Sequence, residues 1–216
     1  MVNRLSHHFS GIFTPIMRDL LRIERSKERI QAHVNSAISH CRKSISLSHR
    51  KEFAASTYEL GKARGELSKI ARLSRNLPQL QGWNLIISAY QEYVEANLLL
   101  CIGRGKKMPA SKSLSVPSVA YLLGVADLMG ELRRMAVNAI RSGDILIAEK
   151  SFQYMVVIFE HLSRFPFSDA VAPGLRRKTD QARYILEETN SELAEEHSRR
   201  RLIGQMEDFR KLLAKD

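Results

Sequence analysis

The chain predicts an all-α protein, and three features of its 216 residues carry that expectation. Apolar residues recur at helical spacing over long stretches. No segment alternates apolar and polar residues as a half-buried strand would. Six prolines and eleven glycines are too few for a loop-rich sandwich or barrel.

Prolines cut the sequence into helical blocks. No proline lies between Ile16 and Leu77, and Leu20, Leu21, Ile23, Ile30, Val34, Ile38 and Ile45 fall at helical spacing. This predicts one very long helix, or two broken near Leu47 to Lys51, with residues 1–15 as an N-terminal extension. Pro78 opens a block that runs to Ile102, and Gly103 suits its end. Gly103 to Lys112, GRGKKMPASK, holds four positive charges and none negative, and reads as a loop. Ser115-Val116-Pro117 restarts a helix, with proline at a permissive early position, to about Arg141. Ser142-Gly143-Asp144 is a turn, and Ile145 to Leu162 is helical again, ending before Pro166 and Pro173. Leu175 to Lys215 is charged and proline-free, which predicts two helices meeting near Gly204, and 197–216 is assigned as the C-terminal helix. The sum is about seven helices in a single domain spanning 1–216.

Composition narrows the function. A 44% hydrophobic chain can bury a core and is not disordered throughout. A formal charge of +11 predicts partners of opposite sign, nucleic acid or anionic membrane. Residues 1–50 hold nine Lys and Arg against three Asp and Glu. Cys41 and Cys101 alone exclude a disulfide framework or a cysteine-built zinc site, and imply a reducing compartment. Met1 to Ser10 lacks the apolar run of a signal peptide. Gly82 to Ile102 is long and apolar, but Asn84, Gln91, Glu92, Glu95 and Asn97 make it too polar for an ordinary spanning helix. The expectation is a soluble, cytoplasmic protein with no membrane partner.

The placing of the acids is the main anomaly. Between Trp83 and Ile102 the only charged residues are Glu92 and Glu95; between Ser113 and Leu132 they are Asp127 and Glu131. Spacings of i,i+3 and i,i+4 set each pair on one helix face. Two such helices face to face would bring four carboxylates into one small volume, with no Lys or Arg of their own. Such a set must take up protons or a divalent cation. Mg²⁺, or Mn²⁺, takes oxygen ligands octahedrally, and Mg²⁺ usually keeps several waters. A metal that lowers the pKa of its water and stabilises charge at phosphorus suits phosphodiester hydrolysis. The other use of such acids is commoner: pairing with Arg or Lys from other helices, or facing solvent. Spacing leaves both open.

Arg42, Lys43 and Arg50 are the candidates for RNA backbone contacts, and Arg104, Lys106 and Lys107 could line the same path. Each has the alternative of a solvated face or a plain loop. Arg176-Arg177-Lys178 stands at a helix start, where positive charge opposes the helix dipole and implies another purpose. Gly103-Arg104-Gly105-Lys106 lacks the spacing of a phosphate loop and follows no strand. His33 and His40, seven apart, fit packed or exposed positions better than zinc ligands. Tyr90, Tyr93 and Tyr121 are core candidates before they are base-stacking ones. Gly124 and Gly130 flank Asp127 within one helix, at a cost of about 1 kcal/mol each relative to alanine, which points to close helix approach.

Gln91-Glu92-Tyr93-Val94-Glu95-Ala96, and the segment Tyr121 to Met135, YLLGVADLMGELRRM, resemble the two signature segments of the translin family, on the side of its catalytic branch, that of translin-associated factor X. Cys41 to Ile45, His49-Arg50 and the Ser142-Gly143-Asp144 turn are similar to the corresponding places in that family, over roughly 25–196 in all. The resemblance implies a seven-helix fold assembling into a closed octameric shell that binds single-stranded RNA and DNA. For the factor X branch it implies a Mg²⁺-dependent endoribonuclease whose metal-site acids match Glu92, Glu95, Asp127 and Glu131; the plain translin branch lacks that set. Glu92, Glu95 and Asp127 would then be catalytic, with Glu95 accepting the proton. The partners implied are single-stranded RNA, single-stranded DNA, and either copies of this chain or a translin-like subunit in a mixed shell. The residues from Arg199-Arg200-Arg201 onward depart from the family pattern. Two classes of function therefore stand side by side: a metal-dependent nuclease, and a non-catalytic binding shell in which the acids serve packing. A membrane-surface protein using residues 16–50 is a third.

Overall fold

The computed structural model describes residues 2–75 and 77–214, and among them every regular element is helical. In order these are α1 (Val2–His49), α2 (Phe53–Ser74), α3 (Pro78–Gln81), α4 (Asn84–Gly103), α5 (Ser111–Leu114), α6 (Ser118–Ser142), α7 (Ile145–Leu162) and α8 (Leu175–Leu213). The all-α expectation holds, with two of the eight segments only four residues long.

α1 and α2 form an antiparallel hairpin, the broken alternative of the long helix. The buried positions of α2, Ser56, Leu60, Ala63, Leu67, Ile70 and Ser74, alternate in steps of four and three. Ile30, Val34, Ala37, Cys41, Ser44 and Ser48 of α1 do the same. Such a repeat keeps one stripe on the partner helix. Flanking pairs fix the register: His33 Nδ1 meets Glu66 Oε2 and His40 Nδ1 meets Glu59 Oε2, both at 2.6 Å. One helix advances seven residues while the other retreats seven. Near the link, the Ser56 hydroxyl bonds Ser44 and Ser48 and donates to the Ser44 carbonyl at 3.1 Å, so these buried polar groups are satisfied. The two histidines are thus packing residues.

α4 is the central helix. It packs on α1, α2 and α6 and is apolar nearly all round, which a helix buried on several sides requires. It is long and apolar enough to cross a membrane, yet half of that stretch lies buried within the bundle. Gly124 sets its closeness to α6. A Cβ there would lie 2.6 Å from the Gln91 carbonyl and 2.7 Å from Val94 Cβ, so only glycine permits the crossing. Gly130 has nothing within 4 Å and no such purpose. Gly124→Ala is expected to cost about 1–3 kcal/mol by overpacking, whereas Gly130→Ala should be neutral or stabilising; thermal melts of the two variants check the contrast.

α6, α7 and α8 complete the bundle by packing on one another. The 142–144 turn is built as expected. Gly143 takes φ 79° and closes α6, and Asp144 caps α7 by accepting from the Ile147 amide at 3.2 Å.

Four boundaries differ from the sequence reading. α1 begins at Val2 and passes through Pro15, so the first helix starts well before Ile16. The block opened by Pro78 is broken at Gly82 and Trp83. Ser111 already starts a short helix inside the expected loop. α8 runs unbroken through Gly204, because that glycine lies where nothing packs against it and no contact forces a bend. Both chain ends leave the bundle with apolar faces exposed: Phe9, Phe13, Ile16, Met17 and Leu20 on α1, and Leu202, Ile203, Met206 and Phe209 on α8.

Candidate active site

The Gly124 crossing brings the two acidic pairs together. Glu95 is buried, 9% exposed, and has no hydrogen bond or ion pair among the described residues. Burial, followed by the nearby charges of Asp127, Glu92 and Glu131, pushes its carboxyl up to about 8. Glu92 is also raised, first by burial, against the lowering effect of Arg42. The four acids therefore form one electrostatic group around a single carboxylate that the protein leaves unpaired.

The other three have protein partners from distant parts of the chain. Lys178, in the first turn of α8, pairs with Asp127 Oδ1, while the Gln91 side-chain amide donates to Asp127 Oδ2. His49, the last residue of α1, bonds Glu131, and Arg134 approaches the same carboxylate at 3.7 Å. Arg42 reaches Glu92 across 3.6 Å of largely solvated space. The expectation that no cation neutralises the acids holds within α4 and α6 and fails in three dimensions, since α1 and α8 supply them. Lys178 also accounts for the charge at the start of α8: Asp127 offsets its conflict with the helix dipole.

These contacts bear on metal binding in two ways. Among the described residues, no three His, Cys, Asp or Glu side chains stand arranged to hold a metal ion. The donor set is nonetheless carboxylate and amide oxygen throughout, which fits a hard divalent cation. The unpaired buried Glu95 is the group that such a charge would satisfy.

Gln91, His49 and Lys178 are site residues that sequence reasoning did not single out for this role. Cys41 lies fully buried beside the acids, and burial together with Glu92 and Glu95 pushes its thiol up, so it is an inert packing group. Tyr93 is core, and the Tyr121 hydroxyl donates to the Pro109 carbonyl at 2.8 Å.

The basic candidates are spread over one end of the bundle, where the end of α1, the start of α2 and the end of α4 meet. Arg42 and Lys43 line a shallow trough on the outer face of α1, with Asn35, Ser39 and Ser46. Arg42 is 72% exposed and is the one that touches the acid group. Arg50 pairs with Glu52 at 3.1 Å. Arg104 leans on the Thr57 hydroxyl at 3.4 Å, and Lys106 and Lys107 are exposed on the loop beyond.

Fold and site define a helical bundle with a carboxylate cluster on its central seam. The translin family model matches residues 22–190, and the chain belongs to the translin family. An uncharacterised protein of Methanocaldococcus jannaschii is 31% identical over 164 residues, 72% of this chain and 71% of that protein. Translin-associated protein X of Pongo abelii is 37% identical over 70 residues, 28% of this chain and 24% of that protein. The crystal structure of AfC3PO matches with a TM-score of 0.78 at 32% identity, covering 87% of this chain and 98% of that one. A complex of AfC3PO with duplex RNA matches at 0.77 and 30%, covering 87% and 97%.

Proposed function

We propose that this chain is a metal-dependent endoribonuclease that cleaves single-stranded RNA. The observation that carries the reading is Glu95: a buried carboxylate without a partner among the described residues, close to three further acids on a seam that only a glycine allows. Glu92, Glu95, Asp127 and Glu131 would hold Mg²⁺, or Mn²⁺ in its place. When bound, the ion supplies a water of lowered pKa and stabilises charge on the phosphorus and the leaving oxygen. The protein's own groups do the rest. Gln91 and Lys178 orient Asp127, His49 orients Glu131, and Glu95, whose raised proton affinity suits a base near neutral pH, accepts the proton from the attacking water. Arg42 stands between solvent and Glu92, positioned to steer a phosphate toward the acids.

RNA binding itself is supported by the charge of the chain, by its family, and by the duplex RNA held by the structurally similar AfC3PO. Single-stranded DNA would be held by the same phosphate contacts. Arg42→Glu should weaken binding at every sequence and reduce the slope of log affinity against log salt by about one. Filter binding between 50 and 200 mM salt reads this directly, and an unchanged slope would remove Arg42 from the path.

Assembly into a closed shell, octameric as the family resemblance implies, is supported by the apolar faces of α1 and α8, which none of the described residues covers. Leu20→Asp together with Met206→Asp should shift the protein to smaller species in light scattering, because burying those charges has no compensation.

A second reading rests on the three side-chain pairings. Lys178, His49 and Arg42 satisfy three of the four acids, as in a binding shell whose acids only join helices. Labelled single-stranded RNA incubated with the protein in Mg²⁺ and in EDTA separates the two. Shortening in Mg²⁺ alone supports the nuclease; intact RNA under both conditions, with binding retained, supports the shell.

A further inference from the structure

Both oxygens of Asp127 are already taken: Lys178 pairs with Oδ1, and the Gln91 amide donates to Oδ2. A divalent cation on Asp127 therefore needs one of the two to give way. We propose that Lys178 does so: it holds Asp127 while the protein is metal-free and, when the ion enters, passes to a phosphate of the bound RNA. This rests on the metal site of the nuclease reading and adds how that site is filled and emptied.

Lys178 is singled out by burial and by charge. Of the permanent cations that meet these acids, it is 18% exposed, against 72% for Arg42 and 57% for Arg134. Its ammonium also acts on Glu92 and Glu95, so it serves the group and not Asp127 alone. A divalent ion at the same acids would stand close to that ammonium in a largely buried place, where like charges repel strongly. Gln91 is neutral, and a carboxylate has lone pairs enough to keep its amide while a metal binds. Leu175 and Ala182, to either side along α8, are buried and fix the helix start. The four-carbon stem of Lys178 is then what moves.

Where the ammonium goes follows from the same charges. Once the acids are turned to the metal, a lysine that leaves Asp127 has lost its counter-charge, and a stranded buried charge is costly. The anion still uncommitted is a phosphodiester of the RNA, which an ammonium meets as a point charge. Arg176 and Arg177 stand exposed beside Lys178 on the same turn and continue the positive charge outward. Metal and RNA thus favour each other's binding: the ion frees the lysine, and the phosphate keeps it from returning.

The test acetylates the full chain briefly with acetic anhydride and follows Lys178 by peptide mass spectrometry. In EDTA, Lys178 is expected to react slowly. Saturating Mg²⁺ should raise its rate about fivefold or more. A single-stranded phosphorothioate RNA, which resists cleavage, should return it to the slow rate in Mg²⁺. Calorimetric titration with Mg²⁺ alone gives a second readout. Lys178→Met should bind the ion about fivefold more tightly, while Lys178→Arg, which keeps the charge, and Arg177→Met, which removes a neighbouring one, should stay within about twofold of wild type. The proposal is overturned if Mg²⁺ leaves Lys178 as slow as in EDTA, if RNA leaves it fast, or if Lys178→Met binds the ion no more tightly than Arg177→Met. Neither readout needs cleavage. Ordinary RNA left intact by wild type, with both readouts as expected, ends the nuclease reading and upholds the exchange. RNA cleaved while Lys178 stays slow ends the exchange alone, and an absence of Mg²⁺ binding ends both.

Discussion

Glu95→Gln is expected to lower RNA cleavage by a hundredfold or more and to leave single-stranded RNA binding within about twofold, as removal of a positioned base should. The substitution is nearly isosteric, so the α4–α6 seam stays packed. Glu95 has no hydrogen-bond or ion-pair partner among the described residues, so its substitution breaks no such bond and leaves no cation orphaned among them. The same cannot be said of its neighbours. Asp127→Asn strands the Lys178 ammonium, and Glu131→Gln disturbs His49, so losses in those variants mix chemistry with packing. Glu95 is therefore the position at which a catalytic role and a structural one give different results. Gel-resolved cleavage in Mg²⁺ beside filter binding in EDTA measures both. Retained cleavage would move the proton transfer to another group, and lost binding would make Glu95 structural.

How much of this was legible in the sequence depends on where each partner comes from. The α1–α2 seam could be read because its steps of four and three are local, and the break near Leu47 to Lys51 was one of the two forms the reading allowed. The convergence of the acids was legible from i,i+3 and i,i+4 spacing together with a glycine inside the second helix. Spacing could not tell which glycine mattered, since Gly124 and Gly130 look alike until Val94 and the Gln91 carbonyl are seen against one of them. The partners of the acids were harder. Lys178 lies 51 residues from Asp127 and His49 lies 82 from Glu131, and no periodicity spans such separations. The one available signal was electrostatic: three basic residues at the start of α8, where the dipole disfavours them. That signal asks for an acid nearby without naming it. The course of α8 through Gly204 was misread for the opposite reason. A lone glycine costs a helix about 1 kcal/mol, and where nothing packs against it no force turns that cost into a bend.

The unpaired state of Glu95 also makes the fold sensitive to pH in a defined direction. Its carboxyl titrates near 4.5 when unfolded and at about 8 when folded, so the folded state holds the proton more tightly. The stabilisation is complete below pH 4.5 and is lost progressively as the pH rises through 8; for a shift of this size it is on the order of 5 kcal/mol. Glu92, raised as well, acts in the same direction. The carboxylates of Glu59 and Glu66, lowered by their histidine and lysine partners, act in the opposite direction and lose their stabilising effect only as the pH falls below 4.5, so the two effects occupy separate windows. In EDTA the melting temperature should therefore fall by about 10 °C or more between pH 5 and pH 8.5, and Glu95→Gln should flatten much of that fall. Mg²⁺ should act where the carboxylates are ionised, raising the melting temperature at pH 8.5 and scarcely at pH 5, with Glu95→Gln losing most of the rise. Lys178→Met sharpens the test. Without its ammonium beside Asp127 the apo protein should be weaker at pH 8.5, and the rise given by Mg²⁺ larger, because the lysine occupies part of the charge deficit that a metal would fill. Should Mg²⁺ leave the melting temperature of wild type and Lys178→Met unmoved at pH 8.5, the acids are held by Lys178, His49 and Arg42 alone, and the seam is a helix joint rather than a metal site.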